Sequence, residues 1–121
     1  MIEILNESTE KVLAIQLSGK LLHRDYQQFV PMLEKRIEEH GSVRCFIEMT
    51  EFQGIELHAL WDEIKFDVRH ARQIERCAIV GDRDWESWMT KLSRPIFSRA
   101  EIRFYGLVER DKAWEWINEG L

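Results

Sequence analysis

Two short apolar runs decide the fold class: Val43-Arg44-Cys45-Phe46-Ile47-Glu48-Met49 and Ile74-Glu75-Arg76-Cys77-Ala78-Ile79-Val80. Each contains only two charged residues, which is typical of a strand that is covered on both faces of a sheet. Between them, apolar residues recur at the spacing of a helix, at Leu57, Leu60, Trp61, Ile64, Val68 and Ala71. A strand, a helix and a strand in this order predict a parallel βαβ unit with a right-handed crossover.

The same alternation continues on both sides of this unit. Before it, residues 2–5 and 12–17 predict a hairpin, and residues 25–40 predict a helix with Asp25 as N-cap and a kink or a fresh start near Pro31. After it come a helix with Trp85, Trp88, Met89 and Leu92 at inward spacing, a strand at 102–106 and a helix at 109–118. The predicted order is β-β-α-β-α-β-α-β-α. It gives an α/β fold whose sheet is mostly parallel, with one antiparallel N-terminal strand.

Length and composition limit the domain count and the class of partner. The chain has 121 residues, 45% hydrophobic and 32% charged, so residues 1–121 are expected to form a single domain. With 17 basic and 22 acidic residues, the net charge is -5, which argues against nucleic-acid binding. No segment reaches the roughly 20 apolar residues that cross a bilayer, and the N-terminus does not read as a signal peptide. A cytoplasmic protein with little membrane contact is expected.

Motifs that carry chemistry are not found in the sequence. The histidines His23, His40, His58 and His70 have no metal-ligand spacing, and there is no glycine-rich phosphate loop. Cys45 and Cys77 lie inside apolar runs, as buried structural thiols do. We therefore expect no metal, no cofactor and no enzymatic activity.

The carboxyl ends of the parallel strands are the expected location of a binding surface, because ligands meet open α/β sheets there. The segments that reach this edge are 19–23, 50–56, 81–85 and 106–109. The candidate residues are Thr50, His58, Asp82 and Trp85, with Trp61 and Lys65 further along the second helix and Trp88 in an apolar patch with Trp85. The alternative is that Asp82 caps a helix and that the tryptophans fill the core.

Five tryptophans are more than a small core needs, and all fall on predicted helices. Trp114 and Trp116 point roughly 200° apart on a helix, so they cannot share one face. With Trp114 on the buried side, Trp116 is expected to be largely exposed or to lie in an interface.

The motifs of the chain resemble those of the bacterial SpoIIAA-like proteins of unknown function, relatives of the STAS (anti-sigma-factor antagonist) domain. The resemblance is nearly end to end. It is carried by residues 17–21, 25–26, Pro31, 39–41, 78–82 with Trp85, 100–105 and 113–114. It implies an α/β fold of the order predicted above, with no established activity.

Anti-sigma-factor antagonists carry a phosphorylatable serine at the start of the helix that follows the strand corresponding to residues 43–49. In this chain residues 50–59 contain no serine, and an ungapped comparison places Leu57 or His58 near the phosphoacceptor. The resemblance therefore implies a relative without the usual serine switch.

Three hypotheses about function follow. The first is a non-enzymatic regulatory or protein-interaction module that forms a homodimer. The alternative is a carrier or sensor of a small apolar molecule or lipid, bound near Trp61, Phe66, Trp85 and Trp88; this needs an apolar cavity rather than an exposed patch. A third, peripheral membrane contact through Trp85, Trp88 and Met89, is opposed by the acidic residues around them.

Overall fold

A computed structural model of the protein describes residues 2–19, 23–52, 74–81 and 101–121. The elements in this part are β1 (Ile2–Ile4), β2 (Val12–Gly19), α1 (His23–His40), β3 (Val43–Phe52), β4 (Ile74–Val80), β5 (Glu101–Tyr105), a 3-10 turn (Leu107–Glu109) and α2 (Arg110–Asn118). The helices predicted around residues 57–71 and 85–92 lie outside the described residues. No helix in the described part is long and apolar enough to span a membrane.

The five strands form one sheet in the order β1-β2-β3-β4-β5, which is also their order along the chain. β1 pairs with β2 in antiparallel fashion, with Ile2 opposite Leu17. All other neighbours are parallel. The mixed sheet predicted from the sequence is therefore confirmed.

Alternation along the strands divides the core into two clusters, one on each face of the sheet. On one face Cys45, Ile47 and Met49 of β3 belong to the cluster that includes Leu33 and Ile37 of α1. The other cluster combines strand residues with α2, and its members are Val12, Ala14, Phe46, Ala78, Val80, Ala113, Trp116 and Ile117. The sheet thus has α1 on one face and α2 on the other.

Two details of α1 differ from the prediction. The helix begins at His23, so Asp25 lies in its first turn rather than at the N-cap, where its carboxylate still interacts favourably with the helix dipole. Pro31 lies inside one helix that continues to His40, so the predicted fresh start is wrong. Pro31 and Gln27 are both exposed, and water can satisfy the carbonyl whose helical bond the proline removes.

Cys45 and Cys77 are buried free thiols, as the sequence predicts. They stand opposite each other on the neighbouring strands β3 and β4. Burial raises the pKa of the Cys45 thiol to about 12. It also raises the pKa of Cys77 well above its ordinary value.

Candidate functional site at the carboxyl edge of the sheet

Only two of the predicted site residues, Thr50 and Trp116, lie in the described part of the chain. Thr50 is half-buried near the end of β3 and is paired in register with Ser18 of β2. By strand alternation it lies on the same face as Phe46, the face that α2 covers. The remaining candidates lie outside the described residues, and their convergence stays a prediction: His58, Trp61, Lys65, Asp82, Trp85 and Trp88.

The expectation that Trp116 is largely exposed is wrong, because the residue is only 5% exposed. Its indole ring lies 6.3 Å from the ring of Tyr105. The guanidinium carbons of Arg76 and Arg103 lie 5.1 Å and 4.7 Å from the indole centroid, at cation–π distance. Trp116 is thus buried against its own chain, which does not support the predicted interface role.

Trp114 and Trp116 both pack against the sheet although they point in different directions. Trp114 makes an edge-to-face contact with Phe46 of β3, with ring centroids 5.2 Å apart. Trp116 contacts β4 and β5 instead. A helix that lies flat on a sheet can therefore bury large rings on both of its flanks, so helical angle alone does not predict their exposure.

Two arginines hold the C-terminal end of α2 on the sheet. Arg44 is buried, and its Nη1 donates hydrogen bonds to the carbonyl oxygens of Ile117 (3.0 Å) and Glu119 (2.6 Å). Arg76 Nη1 donates to the carbonyl of Trp116 (2.9 Å). Carbonyls at the C-terminal end of a helix have no partner within the helix and carry partial negative charge. A cationic side chain there both donates the missing hydrogen bond and offsets the charge.

A carboxylate beside this end of α2 completes the polar network. Glu75 accepts a hydrogen bond from the hydroxyl of Ser42 and another from Arg44 Nε at 3.2 Å. The hydrogen bond from Ser42, followed by the bond and charge of Arg44, lowers the pKa of Glu75 below its ordinary value. The carboxylate is therefore held in its charged form.

At the other end of α2, Arg110 joins three parts of the chain. Its Nη1 and Nη2 donate to both carboxylate oxygens of Glu7, at 3.2 and 2.6 Å, and its Nε donates to Glu48 of β3 at 3.1 Å. Its guanidinium carbon also lies 5.2 Å from the centroid of the Phe46 ring. The bonds to Glu7 and Glu48 raise the pKa of Arg110. The start of α2 is therefore fixed to β3 and to the loop between β1 and β2.

An apolar turn precedes this anchored arginine. In the 3-10 turn between β5 and α2, Leu107 is 52% exposed and Val108 is 98% exposed. Glu109 closes the turn, because its backbone N–H donates to the carbonyl of Gly106 at 2.9 Å and its carboxylate accepts the Gly106 N–H at 3.4 Å. The turn presents two adjacent apolar side chains to solvent on a backbone that is fixed on both sides.

The thiols and carboxylates described at this site are either buried or paired. Both thiols are buried with raised pKa values, so neither supplies a thiolate. The carboxylates of Glu7 and Glu48 are paired with Arg110. Among the described residues, no group of three or more histidine, cysteine or acidic side chains is placed to hold a metal ion.

The SpoIIAA-like family model matches residues 12–118, which is most of the chain. The chain belongs to the SpoIIAA-like family. The resemblance seen in the sequence motifs is thereby confirmed, and so is the α/β fold that it implied.

A solved structure is similar to this SpoIIAA-like chain over almost its whole length. It is an uncharacterized protein of the DUF3478 family with a SpoIIAA-like fold from Shewanella loihica PV-4. The two sequences are 29% identical, the match covers 96% of this chain and 93% of the other, and the TM-score is 0.65. A comparison with functionally curated proteins gives no match.

Sequence reasoning missed the main features of the site in this SpoIIAA-like chain. The sequence predicts residues 106–109 at the carboxyl edge but does not predict the exposure of Leu107 and Val108. The available signal was two adjacent apolar residues between the end of a strand and the start of a helix. For Arg44 and Glu48 the available signal was two charged residues four positions apart in an apolar strand. Both point to the same face of the sheet, so each needs a polar partner there.

Proposed function

We propose that this SpoIIAA-like protein is a non-enzymatic protein-interaction module that contacts its partner through the Leu107–Val108 turn. The observation that carries the proposal is the 98% exposure of Val108 beside the half-exposed Leu107 on a fixed turn. Isolated apolar residues at a surface are ordinary, so exposure alone would not suffice. Here two neighbours are exposed together, and most of the large apolar residues in the described part are buried.

The rigidity of the turn supports a binding role. Arg110 fixes the following residues to Glu7 and Glu48, and Glu109 closes the turn itself. A contact that is already ordered loses little conformational entropy when a partner arrives, so more of the apolar burial contributes to affinity.

The partner we propose is a second copy of the chain. Most soluble oligomers are symmetric dimers, in which the same patch meets itself across a two-fold axis. An apolar turn is complementary to itself, whereas a turn carrying one sign of charge is not. Glu109 and Arg110, the charged residues that follow Val108, already have partners within the chain. Closing an interface over the turn would leave neither of them unpaired.

No described feature favours the alternative, a carrier of an apolar molecule or lipid. The residues that would line its cavity, Trp61, Phe66, Trp85 and Trp88, lie outside the described part, so that hypothesis stays a prediction. The proposed module also does without the serine switch of anti-sigma-factor antagonists, because residues 50–59 contain no serine.

The proposal is tested by photo-crosslinking in living cells. The crosslinking amino acid p-benzoylphenylalanine replaces Val108, and a matched variant carries it at Glu38, which is exposed on α1 at the other face of the sheet. We expect the variant at 108 to form an adduct at about twice the 14.5 kDa of one chain, and the variant at 38 to form none.

The other outcomes separate the parts of the proposal. An adduct between position 108 and a different protein supports the interaction module and overturns the homodimer. No adduct at 108, or equal adducts at both positions, overturns the contact role of the turn. Light scattering on a Val108→Asp variant gives a second reading, because a dimer built on this turn becomes monomeric when the carboxylate is introduced.

A further inference from the structure

A groove lies between the β1–β2 loop and the second half of α1, away from the Leu107–Val108 turn. Its volume is about 510 Å³, within the range of small-molecule sites in proteins. The loop leads into β2 at Val12, so the groove lies at the amino edge of the parallel strands. Its lining includes Glu10 from the loop and Met32, Lys35, Arg36, Glu39 and His40 from α1.

The walls of the groove are ordered by hydrogen bonds. Arg36 Nε donates to the carbonyl of Thr9 at 3.2 Å, and Lys11 Nζ donates to the carbonyl of His40 at 3.2 Å. The hydroxyl of Ser8 donates to the carbonyl of Ala14 at 2.9 Å and accepts its N–H at 3.0 Å. The loop is thus fastened both to α1 and to β2, and the groove exists before a ligand arrives.

Two cationic side chains of the lining can donate hydrogen bonds to a ligand. In the described part of the chain, no hydrogen bond or ion pair engages the ammonium of Lys35. Within residues 2–19, 23–52, 74–81 and 101–121, Arg36 is bonded through Nε to Thr9, and its two terminal nitrogens can donate to a ligand. Lysine and arginine side chains that line the same groove suit a carboxylate, because each can donate hydrogen bonds to it.

The lining also contains two carboxylates, which carry the charge opposite to that of Lys35 and Arg36. Oε2 of Glu10 and Oε2 of Glu39 each lie 3.8 Å from Nε2 of His40. The two carboxylates equal in number the cationic side chains of Lys35 and Arg36 in the lining. The groove therefore offers both signs of charge with no net excess, beside the apolar side chain of Met32.

We infer that this groove binds a small zwitterion, an amino acid or short peptide with a free α-ammonium and a free carboxylate. The carboxylate meets Lys35 and Arg36, the ammonium meets Glu10 and Glu39, and an apolar side chain contacts Met32. A wholly apolar ligand would desolvate four charges without pairing them. A phosphate-like anion would be repelled by the two carboxylates and by the negative end of the α1 dipole.

The test is an NMR titration of the 15N-labelled protein with L-alanyl-L-leucine. We expect saturable shifts at the amides of Glu10, Arg36 and His40 with millimolar or tighter affinity. The N-acetylated and the C-terminally amidated forms of the same dipeptide each lack one charge, so each should bind at least about tenfold more weakly. L-leucine alone is titrated to distinguish free amino acids from peptides as the ligand class.

Variants assign the response to the groove. Lys35→Gln and Glu39→Gln alter exposed side chains and should each weaken binding by about tenfold. Lys112→Gln, on the exposed surface of α2, should leave it unchanged. The inference is overturned if no groove amide shifts up to about 20 mM ligand, or if the blocked dipeptides bind as well as the free one. Shifts confined to amides away from the groove overturn it as well.

Discussion

Replacing Arg44 by methionine should destabilise the protein more than any other single arginine substitution in its described part. The guanidinium is buried and donates to two carbonyls at the C-terminal end of α2, those of Ile117 and Glu119. Methionine keeps most of the length of the side chain but removes every donor. The carbonyls of Ile117 and Glu119 then lose these two hydrogen bonds, and the one to Ile117 is buried.

The magnitude follows from how exposed each partner is. Hydrogen bonds to a charged donor contribute about 1.5–3 kcal/mol when buried, and the bond to Ile117 is buried. The bond to Glu119 is partly buried, so it contributes at the lower end of that range. The ion pair with the more exposed Glu75 adds at most about 1 kcal/mol, because water can replace it. We expect a loss of about 3 kcal/mol in the free energy of unfolding, allowing for non-additivity.

The assay is urea unfolding followed by circular dichroism, with linear extrapolation to water. In thermal unfolding the same loss corresponds to about 12 °C in Tm for a chain of this size. Arg24→Met is the matched control, because Arg24 is exposed on α1; its cost should stay below about 0.5 kcal/mol. A loss for Arg44→Met of less than about 1 kcal/mol, or one equal to the control, would refute the assignment of Arg44 as the anchor of α2.

Three further predictions concern titration, thiols and aromatic packing. The pKa of Glu75 is lowered in the folded state. Its contribution to the free energy of unfolding is therefore present above its ordinary pKa of ~4.3 and is lost as pH falls below that value. The drop in stability between pH 7 and pH 4 should be smaller in Glu75→Gln than in the wild type. The thiols of Cys45 and Cys77 should resist a disulfide reagent at pH 8 in the native protein and react fully in urea; rapid native labelling would contradict their burial. Trp116→Ala should lower the free energy of unfolding by about 3–5 kcal/mol and Trp114→Ala by clearly less, as measured by urea unfolding. The reverse order would contradict the burial of Trp116 and support the exposed position that the sequence predicts.

Much of the fold follows from the sequence because strands and helices have different periods. The run at residues 43–49 marks β3, which extends to Phe52 because its pairing with β2 continues past a shift in register to Gly19. The described helix α1 includes His23, two residues before the predicted start, because an acidic residue is as favourable in the first turn as at the N-cap. Strand order was not predictable in detail, because it depends on contacts between strands that are distant in sequence.

The site was harder to predict for the same reason. Arg44 has backbone acceptors 73 and 75 residues further along the chain. The partners of Arg110 lie 103 and 62 residues before it. No local pattern encodes such pairs. The exposure of Trp116 was misjudged because the arginines that cover its ring come from other strands.

The position of α2 has a consequence for synthesis on the ribosome. Each strand pairs with the one made just before it, so the sheet can assemble in step with translation. Phe46, Ala78 and Val80, however, are covered by a helix encoded at residues 110–118. Until that segment leaves the exit tunnel, a nascent sheet lacks the cover that α2 gives these apolar side chains. A chaperone is therefore expected to bind the nascent chain in the interval before α2 docks. A chain truncated before residue 110 should aggregate.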